Sequence, residues 1–182
     1  MPELGATLLI LARNAIAARF DQAQYPADDC PDLHKPGATF VTLTQHSNLR
    51  GCIGSLEAWR PLSVDVEENA LAAAFRDPRF APLTADELPI TRVEVSLLTP
   101  AEPILFTSEA DALDQLRPDI DGVIFTAGRR RSTFLPQVWE QLPAPVVFMA
   151  HLKQKAGLPA NYWGSDVHLE RYTVKKWKEA AP

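Results

Sequence analysis

The chain has 182 residues, a formal charge of −5, and hydrophobic and charged fractions of 46% and 23%, the balance of a soluble globular protein with a real core. The acidic balance argues against nucleic acid or an anionic membrane as a partner. Two cysteines, Cys30 and Cys52, and no basic stretch before the short apolar run Leu8–Ala12 point to a reducing cytoplasm, with neither a disulfide framework nor a membrane span.

Leu4 to Phe20 is expected to be a helix, with Leu4, Leu8, Leu11, Ala15 and Ile16 as its apolar stripe. A proline-rich loop follows and carries His34 and Cys30; the acids around Cys30 disfavour its thiolate. Residues 38–45 alternate like a strand, with Val41 and Leu43 toward a core and Thr42 and Thr44 away from it. His46-Ser47-Asn48 breaks the run, and Leu49-Arg50-Gly51-Cys52-Ile53-Gly54 reads as the return strand. Strict alternation places Arg50 and Cys52 on one face, and Leu49 and Ile53 on the other. A guanidinium beside a thiol stabilises the thiolate and makes the sulfur a better nucleophile. The competing reading is a small buried hydrophobe, the commonest state of a free cysteine. Gly51 and Gly54 leave room for a ligand or another backbone. His46, six residues before Cys52, is either a solvated turn residue or a group at the site.

Pro61 to Arg76 is expected to be a second long helix, with Leu62, Val66, Ala70 and Ala73 inward and Asp77-Pro78 as its stop. Phe80 and Leu83 should return to the core, and Thr84 to Glu87 has capping-box spacing. Ile90 to Leu98 is the clearest strand: Val93, Val95 and Leu97 alternate with Arg92, Glu94 and Ser96. Further on come a short strand at Ile104 to Thr107, a short helix capped by Ser108, and a hairpin of Gly122 to Ala127 with Ser132 to Leu135 around three arginines. Pro136 to Leu142 reads as a helical turn, Pro145 to Lys155 as a helix ended by Gly157, and Val167 to Trp177 as a closing strand. The arginine turn is read as a solvated tip in preference to an anion grip.

The hexapeptide resembles the signature of the AMMECR1 domain, the family called AmmeMemoRadiSam system protein A. Asp77-Pro78-Arg79-Phe80 with Val93-Glu94-Val95-Ser96, Thr133 to Trp139 and Leu152 to Leu158 fit in the same order, so the likeness spans most of the chain. It implies one domain over residues 1–182, built as interwoven larger and smaller lobes with a cleft and the hexapeptide near it. It also raises Glu94 to a candidate general base or hydrogen-bond acceptor and links the chain to MEMO-family and radical-SAM partners.

The expected fold is α+β, mostly antiparallel sheet packed with two long helices. The sequence has no phosphate-binding glycine loop, no metal-ligand spacing and too few cysteines for an iron–sulfur cluster, so no cofactor is expected. Three functions remain open. The first is a cytoplasmic enzyme or enzyme subunit using Cys52 and Arg50, with Glu94 in support and Gly51, Gly54 and His46 shaping a pocket for a small acidic substrate. The second is a non-catalytic adaptor of the same system. The third, disfavoured by charge, is a nucleic-acid-binding regulator.

Overall fold

The computed structural model describes residues 3–182. In chain order the elements are α1 (Leu4–Ala18), β1 (Pro36–Gly37), β2 (Thr39–Gln45), β3 (Asn48–Gly54), β4 (Arg60–Pro61), α2 (Leu62–Phe75), β5 (Thr91–Leu98), β6 (Glu102–Ile104), α3 (Glu109–Gln115), β7 (Gly122–Ala127), β8 (Arg130–Phe134), α4 (Pro145–Lys155), β9 (Val167–Tyr172) and β10 (Val174–Lys178). Short 3-10 helices lie at Pro31–His34, Ala85–Ile90 and Pro136–Glu140. The fold is α+β. The chain divides into two compact units, one of residues up to Leu98 together with Lys175–Pro182, the other Thr99–Val174.

The first unit holds a four-stranded sheet in the order β10-β5-β2-β3, with β2 antiparallel to both β3 and β5. Period-two alternation sends Val41, Leu43, Val93 and Val95 to one face, where all four are fully buried against Leu8, Ile16, Val66 and Ala70 of α1 and α2. The buried stripe of α1 is rotated from the expected one. It runs through Gly5, Leu8, Ala12 and Ile16, because the Trp177 ring of β10 occupies the space where Gly5 lacks a side chain. On α2 the apolar stripe is interrupted by two buried polar residues, Asp65 and Asn69. The capping box forms as its spacing predicts: Thr84 N donates to Glu87 Oε2 at 2.8 Å.

The second unit holds a four-stranded antiparallel sheet in the order β6-β9-β7-β8. Its core is more aromatic, with the Trp139 and Phe148 rings stacked 3.7 Å apart beside Phe125 and Met149. Ser108 caps α3 by accepting from Asp111 N. Gly157 ends α4 at a φ of +83°, the left-handed conformation that glycine adopts without strain. Lys153, near the end of α4, is buried and donates to Glu109 at 2.6 Å.

Two sequence expectations change here. Val167 to Trp177 is not one strand. It divides at Thr173, so that β9 pairs inside the second sheet and β10 edges the first; alternation reads pleat direction but is silent about which sheet supplies the partner. The short strand expected at Ile104 to Thr107 lies earlier, at Glu102–Ile104, where it pairs with β9.

Candidate active site

The hexapeptide forms most of β3, the edge strand of the first unit's sheet. His46 and Ser47 make the hairpin turn, both with positive φ, +49° and +66°, as a two-residue turn requires. The register then slips. Leu43 pairs with Gly51 and Thr44 with Leu49, so Arg50 is an extra, bulged residue.

That bulge overturns the expected Arg50–Cys52 partnership. The Arg50 guanidinium goes to Glu87, donating from Nε to Oε1 at 2.9 Å and from Nη2 to Oε2 at 3.1 Å, and it lies over the Phe80 ring. Its Nη1 is buried and unpartnered among the described residues. Glu87 feels this cation strongly. The Arg50 hydrogen bond, helped by Thr84 N and Gln45, holds its carboxyl down at about 2 against desolvation. Arg50 therefore neutralises a carboxylate and fixes the strand instead of charging the sulfur.

Cys52 pairs with Thr42, and Thr42 with Glu94 on its other side. The three lie in one row on the sheet face turned away from α1 and α2. The sulfur is 3.3 Å from Thr42 Oγ1, and the residue is partly buried but outside the aliphatic core. Its backbone is gripped from the open edge of the sheet. Cys52 N donates to Asp77 Oδ2 at 3.0 Å, and Arg79 Nη2 donates to the Cys52 carbonyl at 3.4 Å. Arg79 also clasps Asp77 through Nε and Nη2, at 3.0 and 2.8 Å, which keeps the Asp77 carboxyl well below the usual carboxylate range. This pair gives Cys52 the hydrogen bonds that a further strand would have supplied.

Both glycines are occupied by the protein itself. A Cβ on Gly51 would lie 2.1 Å from the Ala73 carbonyl of α2, and one on Gly54 would lie 2.2 Å from the Phe40 ring. Gly51 and Gly54 thus shape the site by letting α2 and Phe40 close on the strand, and the space beside them is not a ligand pocket. Beyond Gly54, Asp65 is fully buried. It accepts from Thr39 N and Thr39 Oγ1, both at 2.7 Å, from Ser55 Oγ at 2.6 Å and from Arg60 Nε at 2.8 Å.

Glu94 and His46 come together in a different way. Both line a cavity of about 510 Å³ on the open face, with Thr44, Arg92 and Lys178. Glu94 Oε2 is 2.9 Å from Lys178 Nζ. Among the described residues no group of three or more His, Cys, Asp or Glu is arranged to hold a metal, and no helix is long and apolar enough to cross a membrane.

The AMMECR1 family model matches residues 9–177. The chain belongs to the AMMECR1 family. Similar family members include a protein of Methanothermobacter thermautotrophicus, 37% identical over 96% of this chain and 94% of its own, and one of Thermotoga maritima, 36% identical over 88% and 89%. The crystal structure of an uncharacterized protein from Pyrococcus horikoshii is similar at a TM-score of 0.80 and 32% identity, covering 98% of this chain and 92% of that one.

Within this AMMECR1 domain, sequence reasoning missed several residues that position the site: Glu87, Arg79, Asp77 and Asp65. One signal was present. Asp65 and Asn69 sit four apart between Leu62, Val66 and Ala70, polar residues on an otherwise apolar helix face, which demand a partner network. Asp77 and Arg79 stood in the family-like segment Asp77-Pro78-Arg79-Phe80, but their role was not legible there, since only the return of the chain after α2 brings Arg79 to Cys52.

Proposed function

We propose that this AMMECR1 protein is a cytoplasmic enzyme or enzyme subunit in which Cys52 is the reacting thiol. Glu94 and His46 face a small acidic substrate in the neighbouring cavity, and MEMO-family and radical-SAM proteins are its partners. The observation that carries the reading is the place of Cys52. It stands on the polar sheet face, with a hydroxyl at its sulfur and with both backbone groups fixed by Asp77 and Arg79, an arrangement suited to presenting a thiol in one orientation. Arg50 acts in this scheme as a positioning residue through Glu87.

The test compares the two thiols of the folded chain. Iodoacetamide should modify Cys52 faster than Cys30, and Cys52→Ala should abolish turnover in a system reconstituted with the two partners while still copurifying with them. A Cys52 that resists alkylation, together with full turnover by Cys52→Ala, ends the proposal.

The adaptor reading draws on a separate observation. Just after the hexapeptide, Leu56 and Trp59 are exposed, Trp59 by 71%, and the Trp59 ring is held 4.9 Å from the Arg60 guanidinium, itself anchored on Asp65. A pre-ordered Trp–Arg pair is typical of an interface anchor. Trp59→Ala should abolish copurification with the partners if this face docks them, and leave it intact if it does not.

A further inference from the structure

The geometry points to an anion subsite at Arg92, in the cavity beside Glu94, that takes the carboxylate of a small organic monoacid. The assignment rests on the proposed function only in taking this ligand as the substrate of the thiol; the binding itself does not need the sulfur.

The starting observation is an arginine with no acid. The partly buried arginines Arg13, Arg50, Arg60 and Arg171 each meet a carboxylate. Arg92 is also partly buried, yet among the described residues its guanidinium meets none. Its Nε donates to the Glu179 carbonyl, a neutral acceptor that orients the group without cancelling its charge. The two terminal nitrogens make no hydrogen bond within the described protein, and the residue lines the cavity. A guanidinium held by one edge with its other edge open is the geometry that binds a carboxylate through two parallel hydrogen bonds.

The neighbours set the ligand's charge and shape. Thr44 is the direct cross-strand partner of Arg92, so its hydroxyl stands beside the guanidinium as a further donor. Lys178 adds a cation and Glu94 an anion, paired with each other, which leaves Arg92 as the lining arginine whose charge no side-chain carboxylate answers. A monocarboxylate cancels that charge. A dianionic phosphate would overshoot it beside the Glu94 carboxylate. Ile90, 40% exposed, and Ala181 also line the wall, with Ser47 and Pro182, and the apolar ones fit a short apolar body on the acid.

The same register gives the distance from the subsite to the sulfur. Glu94 is two residues from Arg92 on the same face, and Cys52 is two strands from Glu94 across Thr42, a separation of about 10 Å. An acid seated by its carboxylate at Arg92 has Glu94, the near end of this row, beside it in the cavity wall, with Cys52 at the far end.

The test uses the full chain in the Cys52→Ala background and follows backbone amides by 1H–15N NMR, with butyrate, butyramide and inorganic phosphate as probes. Butyrate should shift the amides of Thr44, Arg92 and Glu94 saturably, Arg92→Gln should weaken it by about tenfold, and butyramide should leave those amides unmoved. Lys178→Gln, a change on a half-exposed side chain of the edge strand, should weaken butyrate by about threefold and covers the case in which Arg92→Gln fails to fold. Undiminished butyrate binding in the variants, equal binding of butyramide, tighter binding of phosphate, or no saturable shift up to about 50 mM would each overturn the subsite. Failure here with Cys52 still alkylated first in the unmodified chain removes the subsite and leaves the thiol proposal. Arg92-dependent binding with an inert Cys52 does the reverse.

Discussion

The two ends of the hexapeptide strand are held by different physics. At the Gly54 end, Asp65 is wholly buried and gathers donors from β2, from Ser55 and from Arg60. At the Arg50 end, the anchor is an ion pair with Glu87 whose carboxylate is 27% exposed. The first end is locked to α2 by a network that loses much if any member is removed. The second is tied to a short 3-10 helix through a contact that water can partly replace. Between them, Cys52 borrows its backbone partners from Asp77 and Arg79. The contrast shows that the charged groups around this thiol are spent mainly on fixing the strand, and it predicts a weaker hold toward the hairpin turn than at Gly54.

The largest expected effect is at the buried end. Asp65→Ala leaves the Arg60 guanidinium and the Thr39 amide without their acceptor and should destabilise the protein by about 3–5 kcal/mol, read from the urea midpoint. A loss of only about 1–2 kcal/mol would make the two ends equivalent, and a smaller one would reverse their order. Next comes the middle of the strand. Gly51→Ala drives a methyl group into the Ala73 carbonyl, and because a backbone cannot step aside cheaply the expected cost is about 3 kcal/mol; a neutral result would mean that α2 is free to move away from β3.

Glu87→Gln should cost less, about 1–2 kcal/mol near neutral pH. Its pH dependence sharpens the comparison. The Glu87 carboxyl is held at about 2 in the folded chain, below its ordinary 4.5, so the ionised form is the one that the fold favours. Its stabilisation is complete above about pH 4.5 and drains away as pH falls toward 2. Urea midpoints of the unmodified chain and Glu87→Gln should therefore converge across that window, and a constant gap would show that the Arg50 pair is not what the carboxylate contributes. The smallest effect is expected at Thr42→Val, where loss of the hydroxyl at 3.3 Å from the sulfur should slow iodoacetamide modification of Cys52 by about twofold with stability unchanged. An unaltered rate would show that the hydroxyl and sulfur do not interact.

Much of the frame was legible in the amino-acid order. Pro145 to Lys155 and Gly122 to Ala127 have the bounds their patterns predict, and Leu62–Phe75 lies one residue inside its expected range at each end, because proline starts, glycine stops and periodic apolar positions act within a few residues of chain. Thr42 and Glu94 on the face opposite Val41 and Val93 follow from the same alternation. The link between Arg50 and Cys52 did not survive, since one bulged residue shifts every later side chain and nothing in Leu49 to Gly54 marks where the slip occurs.

The sequence by itself determined which residues are apolar at which period, and so the elements, the buried face of the first sheet and the polarity of the opposite face. Tertiary structure alone decided the partners: that Arg50 reaches Glu87, that Arg79 reaches the Cys52 carbonyl, that the strand after Val167 divides between two sheets, and that Arg92 is left facing a cavity without an acid of its own. The acid in that cavity, Glu94, is paired with Lys178 and not with Arg92. The reason is one of range. Periodicity and capping are set by neighbours along the chain, whereas an ion pair depends on where two distant segments, 37 residues apart for Arg50 and Glu87, come to rest when the core closes.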